Sequence, residues 1–359
     1  MKKQEFTIEF ITPCFCAGAD QTVAEVRAPS IRGQLRWWFR TLGGFSIQSR
    51  TLKIAEKEAE VFGDASDGNP QKSKLLVRIR SKSIETTTKE LKDFGWDHPT
   101  DPHGYLLFNL RSNQRGLIEP GSTINVELIW KGPSHYWDSI VALWNVFTTF
   151  GALGTRSRRG FGSISSIPTK EPIDVGYIQQ YFSEPQSILV FDFKEKENSN
   201  KENWEDAIGE LGCWLKEWRS HGRTIDHHKK QPDNIGFPYA ENDHDLGVKI
   251  IRSEKPEMNS YRAALGLPII QLYSNKKKAL WNHGKEKDGR FASPIMFRVT
   301  KEGTKYHPQI IFVEKYKWND NANSLIIKNG EKWAKGSEIG VSLDLYEAMK
   351  NDEFLTRRY

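Results

Sequence analysis

Apolar and polar residues alternate over residues 5–11 (EFTIEFI), the two-residue period of a half-buried strand, and Thr12-Pro13 ends it. Residues 24–29 form a short extended stretch closed by Ala28-Pro29. Ser30 is placed to cap a helix over about 31–42. LKIAEKEAEVFG predicts a second short helix that stops at Gly63, before a polar loop over 63–73. Strands are predicted at 74–80, 104–110 and 122–130. Ser134 starts an apolar helix through WDSIVALWNVFTTFGAL, and FGSISSI (161–167) closes the unit as a strand.

Residues 168–186, with Pro168, Pro172 and Pro185, read as a linker. A second unit then begins in the same way, with a strand at 187–193 and an amphipathic helix over 203–222. A polar insertion is expected at about 222–260. Strands are expected at 268–273, 293–299, 308–314 and 323–328, and a helix at 341–350. The order of the first unit is that of a βαββαβ fold with inserted strands. The expected class is therefore α+β: two ferredoxin-like (RRM-like) domains with insertions, over 1–170 and 186–359.

Composition fits a polyanionic partner, although the distribution of charge must decide. The net charge is +6, and 12 Trp, 19 Phe and 11 Tyr among 359 residues supply bulky core material. Cys14, Cys16 and Cys213 make neither a disulfide framework nor a zinc knuckle, and the first two read as small buried thiols. No apolar run reaches the ~20 residues of a membrane span, and MKKQEFTIEF has too short an apolar run for a signal peptide. A cytoplasmic setting without a membrane partner is the expectation, and no cofactor is required.

Two segments concentrate the charge. In RAPSIRGQLRWWFR (27–40), Leu35, Trp38, Phe39 and Leu42 share one helical face. Arg32, Arg36 and Arg40 form a stripe beside it, at intervals of about 6 Å along the axis, near the spacing of successive phosphates. Gly33 lies on the outer face, where another backbone can come close. Trp37 points away from the core, to be covered by a loop, stacked on a base or buried by a neighbouring subunit. The second segment, GALGTRSRRGFGSI (151–164), joins the apolar helix to the closing strand. It carries Gly151, Gly154, Gly160 and Gly162 with Arg156, Arg158 and Arg159. Glycines there allow positive φ and would offer backbone N–H groups to an anion, while the arginines add forked donors. It is neither a Walker loop, since no Gly-Lys-Ser/Thr follows, nor a Rossmann fingerprint, since no strand leads into it.

GTRSRRGFGSI before a closing strand resembles the signature loop of the RAMP superfamily of CRISPR-associated proteins. TPCFCAGAD…EVRAPSIRGQLRWWFR, followed by AEVFGD, resembles the first-listed RAMP subunit of the Cmr (type III-B) effector. FASPIMFRV (291–299) resembles a strand of that subunit's second domain, while Cys14, Cys16 and Ala17 depart from its usual turn residues. The resemblance implies a non-catalytic subunit at the guide 3′ end that helps capture target RNA in antiviral defence. Its partners would be guide RNA, target RNA and other Cmr-type subunits. It implies RNA contacts at Arg27, Ser30, Arg32 and Arg36, and at Arg156, Arg158, Arg159, Gly160 and Gly162. Trp37, Arg40 and Gly154 join them from the reading of the residues themselves.

The rival is a metal-independent RAMP endoribonuclease that matures guide RNA. Its richest segment is SHGRTIDHHKK (220–230), with His221, Asp226, His227 and His228 as acid–base candidates and Arg223, Lys229 and Lys230 as cations; the same segment reads as an RNA contact without chemistry or as a solvated loop, since a polar insertion fixes geometry poorly. A metal reading through His227, His228 and His244 matches no known ligand spacing. Lys276, Lys277 and Lys278 form a further basic run, either tracking an RNA backbone or simply surface charge.

Overall fold

The computed structural model describes all residues except 66–69, 97, 99–100, 108–109, 111–113, 169–172, 195–200, 220–234, 253–257, 268, 273–277, 282–290, 317–326, 330–331, 335–338 and 359. It is a mixed α+β protein with several antiparallel sheets. Among the described residues no helix is long and apolar enough to cross a membrane.

The chain divides into two compact units, each discontinuous in sequence. The first comprises Met1–Leu211, Met296–Ile311 and Thr356–Tyr359; the second comprises Gly212–Ile295 and Phe312–Leu355.

The first unit opens with strand β1 (Lys2–Phe10), helices α1 (Ala28–Thr41) and α2 (Ile54–Phe62), and strands β2 (Leu75–Ser83) and β3 (Thr86–Lys89). Short helix α3 (Pro102–Leu106), strands β4 (Arg115–Ile118) and β5 (Thr123–Trp130), helix α4 (Trp137–Phe150) and strand β6 (Ile164–Ile167) follow. Its main sheet has the order β2-β5-β1-β6, antiparallel throughout. Phe6, Ile8 and Phe10 of β1 alternate into the core, so register fixes which face is buried. Phe6 packs 5.0 Å from the ring of Trp144 on α4, and Trp38 of α1 lies 6.2 Å from Phe150. The two helices are thereby seated over the sheet through aromatic contacts.

Helix α5 (Val175–Tyr181), strand β7 (Ile188–Phe193) and helix α6 (Trp204–Arg219) come next. They precede α7 (Phe237–Ile251), β8 (Ile269–Leu272), β9 (Lys278–Trp281), β10 (Ile295–Glu302) and β11 (Lys305–Val313). The chain ends with β12 (Ile327–Asn329), β13 (Lys332–Ala334), α8 (Asp344–Lys350) and β14 (Leu355–Arg357). A second four-stranded sheet has the order β10-β11-β7-β14. In the second unit, Asp352 accepts the indole N–H groups of Trp214 (2.7 Å) and Trp218 (2.8 Å). Buried Asp243 there accepts the Tyr261 and Arg262 amides, both at 2.9 Å, so neither carboxylate is left unsatisfied.

Four sequence expectations change. Helix α1 begins at Ala28, with Arg27 rather than Ser30 as its cap, because proline's fixed φ suits a first helical turn. Residues 104–106 of the expected strand 104–110 belong instead to helix α3, held by the Asp101 carboxylate accepting the His103 and Gly104 amides. The expected linker contains α5, capped by Asp174 on the Tyr177 amide at 2.7 Å. The expected polar insertion at 222–260 contains α7, anchored by buried Ala240 and Leu246.

Candidate nucleic-acid interface

Helix α1 buries Leu35, Trp38 and Phe39, and Leu42 after its end is buried too, as the pattern predicts; Ile31 joins them. Its arginine stripe does more than face solvent. Arg36 Nε lies 2.5 Å and Arg40 Nη1 2.6 Å from the same oxygen of Glu58, on α2. Arg32 donates to the Phe62 carbonyl at the end of α2. Burial, together with the neighbouring Arg36 charge, holds the Arg32 guanidinium below its usual range. The stripe expected to match successive phosphates is therefore also a clamp between two helices, with all three guanidinium groups bonded to α2. Arg36 and Arg40 side chains nevertheless stay 39% and 38% exposed, so each keeps donors for a second acceptor. Substituting Glu58→Gln removes the shared charge and is expected to lower stability by about 1–2 kcal/mol. Urea unfolding followed by tryptophan emission measures this.

The glycine–arginine loop is stitched into the unit by its backbone. The Leu153 amide donates to Gly162 O (2.9 Å), Thr155 to Phe15 O (2.8 Å) and Gly162 to Pro13 O (2.8 Å). Arg159 N donates to Arg156 O at 2.7 Å, closing a tight turn in which Arg156 takes φ +66°. Strand β10 holds the other side: Phe297 N donates to Arg158 O and Gly160 N to Phe297 O, both at 3.1 Å. Thr12 and Ser163 hydroxyls both donate to Gly160 O.

Gly160 and Gly162 are buried, and their amides are spent on internal carbonyls. The expectation that they offer N–H groups to an anion is therefore corrected: they shape the loop. At Gly162, φ is +66° and an added Cβ would sit 1.9 Å from Leu153 O. At Gly160 it would meet Ile208 Cδ1 at 2.5 Å. Gly154, at φ +83°, lets the loop approach the Phe15 carbonyl.

Loop and helix meet at Trp37. The Arg158 guanidinium carbon lies 4.9 Å from the Trp37 ring centroid, and Trp37 stands edge-on to Trp38 at 4.8 Å. Gly33, Gln34, Trp37 and Arg40 of α1 and Ser157 and Arg158 of the loop line one cavity of about 230 Å³. Trp37 is half-buried, part of it covered by the loop. Arg159 lies over Phe297, 5.6 Å from its centroid. Arg156 is half-buried, and loss of hydration alone pulls its guanidinium below its usual range.

Arg27, exposed, and Ser30 lie elsewhere, at the start of α1, roughly 10–15 Å along its axis from Trp37. Both influence Cys16, whose thiol is held down mainly by a hydrogen bond with Cys14. Burial pushes the Cys14 thiol well up, and both cysteines are buried as expected. Residues 220–230 and Lys276–Lys277 lie outside the described residues. Among the metal candidates only His244 is described, 3.3 Å from Asp245.

Sequence reasoning missed Glu58 and the contribution of β10, although FASPIMFRV had marked that strand. Met296 lines the Trp37 cavity, and buried Arg298 donates to Ile164 O at 2.9 Å beside the loop. Glu58 left a trace: it lies three and four residues before buried Val61 and Phe62, a carboxylate on an apolar face that needs a cation.

A family model for the RAMP superfamily matches residues 7–165. The chain is 27% identical over 323 residues to CRISPR system Cmr subunit Cmr1-1 of Pyrococcus furiosus, covering 86% of each. It is 25% identical over 177 residues to subunit Cmr1-2 of the same organism, covering 44% of this chain and 92% of that one. The crystal structure of Cmr1 from Pyrococcus furiosus (apo form) aligns over 99% of this chain and 98% of that one, with a TM-score of 0.51 and 19% identity. That likeness is one of fold. The motifs and the matched segment agree: residues 7–165 of the chain are similar to the RAMP superfamily, and the chain as a whole is similar to the Cmr1 subunits.

Proposed function

We propose that this chain is a non-catalytic RNA-binding subunit of a type III-B CRISPR effector complex, seated at the guide 3′ end and helping to capture target RNA. The observation that carries the RNA reading is the convergence of α1 and the arginine loop at Trp37 and Arg158. Cations on two elements border one concave surface beside a partly open indole, the pairing of charge and stacking platform that single-stranded RNA requires. The assignment to a Cmr effector rests on the similarity to the Cmr subunits, and the place at the guide 3′ end on the resemblance of the N-terminal block. The strand order β2-β5-β1-β6, with a helix after the first strand and another after the third, supports a ferredoxin-like first domain. A second such domain is inferred from the β10-β11-β7-β14 sheet.

Purified protein incubated with end-labelled repeat RNA in EDTA tests the reading. RNA that is retarded and intact fits it. A discrete product that disappears in His227→Ala or His228→Ala would instead establish a metal-independent endoribonuclease. Substituting Trp37→Ala is expected to weaken RNA binding by roughly 5- to 100-fold, the worth of one stacking platform. Titrating fluorescein-labelled RNA measures it, and unchanged affinity with a lost neighbouring subunit would reassign Trp37 to an assembly contact.

A further inference from the structure

A second cavity of the first unit, about 640 Å³, shares no lining residue with the one at Trp37. Its volume is in the range of small-ligand sites. Its walls come from the turn after α1, the start of α2 and residues 179–186. Lys57 is the unusual member. It is 5% exposed, and its ammonium donates only to neutral oxygens, Gly43 O at 3.3 Å and Ser183 Oγ at 3.2 Å. Among the described residues no carboxylate comes within ion-pair distance of it. A buried ammonium without a counter-charge is costly, and two acceptors leave one of its three N–H groups to serve.

The surroundings are built around that charge. Gly43 and Gly44 both take positive φ. A Cβ on Gly44 would fall 2.8 Å from Lys57 Cδ, and one on Gly43 would fall 2.6 Å from Glu184 Cγ. Two consecutive glycines thus make the room in which the lysine and the glutamate are folded inward. Exposed Arg50 also lines the cavity, as do Ser46 and Ser183, while Leu52 and Ile54 supply apolar lining. Lys57 and Arg50 bring donors from two directions, while the Ser46 and Ser183 hydroxyls donate to the Gln180 and Phe45 carbonyls and the Glu184 carboxylate completes the lining. A tetrahedral oxyanion meets that arrangement better than a planar carboxylate, and a guanidinium fork suits it.

We propose that this cavity binds a small phosphorylated ligand, whose phosphate is held between Lys57 and Arg50 and whose apolar body rests on Leu52 and Ile54. The site is independent of the RNA interface. Thermal unfolding of the full chain at fixed ionic strength tests it with three probes: inorganic phosphate, adenosine monophosphate and adenosine. The two phosphate-bearing probes are expected to raise Tm by a few degrees at saturation and adenosine to leave it unchanged. The rise should persist in Arg158→Gln and vanish in Lys57→Met and in Arg50→Gln, the latter an exposed position at which folding is not at stake. Absence of any rise, or a rise that survives Arg50→Gln, overturns the proposal. With the rise established, competition by an RNA oligonucleotide would assign the phosphate to RNA, and lack of competition to a free metabolite.

Discussion

Gly162→Ala lowers the unfolding free energy of the first unit by roughly 3–5 kcal/mol and removes RNA binding with it. Alanine at φ +66° costs about 1–2 kcal/mol by itself. The larger share comes from the methyl group, which would stand 1.9 Å from the Leu153 carbonyl oxygen. That oxygen belongs to backbone, in a segment paired with Gly162 itself through the Leu153 amide. Relief therefore requires opening the Ala152–Ser163 bridge, which closes the arginine loop on itself, and the Gly162–Pro13 hydrogen bond, which ties it to the segment after β1. Gly33→Ala is the control. Nothing lies within 4 Å of its added Cβ, and alanine in an exposed helix interior should gain about 0.5–1 kcal/mol. Chemical unfolding of both variants reads the difference, and equal stabilities would show that the loop is not locked as described.

The combined substitution of Arg156, Arg158 and Arg159 by glutamine weakens RNA binding by roughly 100- to 1000-fold at physiological salt, with little loss of stability. Glutamine keeps much of the stem that packs on Trp37 and Phe297 while removing the charge. Phosphate contacts carry no base information, so the loss should be equal for RNAs of different sequence. Fluorescence anisotropy with two unrelated oligonucleotides measures it. A loss confined to one sequence would mean that these arginines read bases.

Much of the first unit was legible because its elements carry their own periods. Strand β1 alternates, α1 and α4 have apolar faces, and the run of β5 is too β-branched to be mistaken. The failures share a cause. Helix α7 reads FPYAENDHDLGVKII, and its acidic centre looks like a loop until Asp243 is seen to hold the Arg262 side chain at 3.2 Å. Helix α3 was hidden by the apolar run that follows it, although Asp101-Pro102 is a helix start by cap and proline alone. For the interface, the residue types were readable and their partners were not. Glu58 is 18 residues from Arg40 in sequence, and Phe297 is more than a hundred from the loop it braces. The glycines were assigned to ligand contact because a positive φ is visible in sequence and the packing of Ile208 against Gly160 is not.

The salt dependence of RNA affinity tests the central claim most directly. The slope of log K against log salt should be shallower in the triple loop variant than in the unmodified chain by roughly 2, the worth of three phosphate contacts on a single strand. Parallel slopes would mean that the loop's guanidinium groups do not meet the RNA backbone, and the interface assigned to α1 and the loop would be wrong.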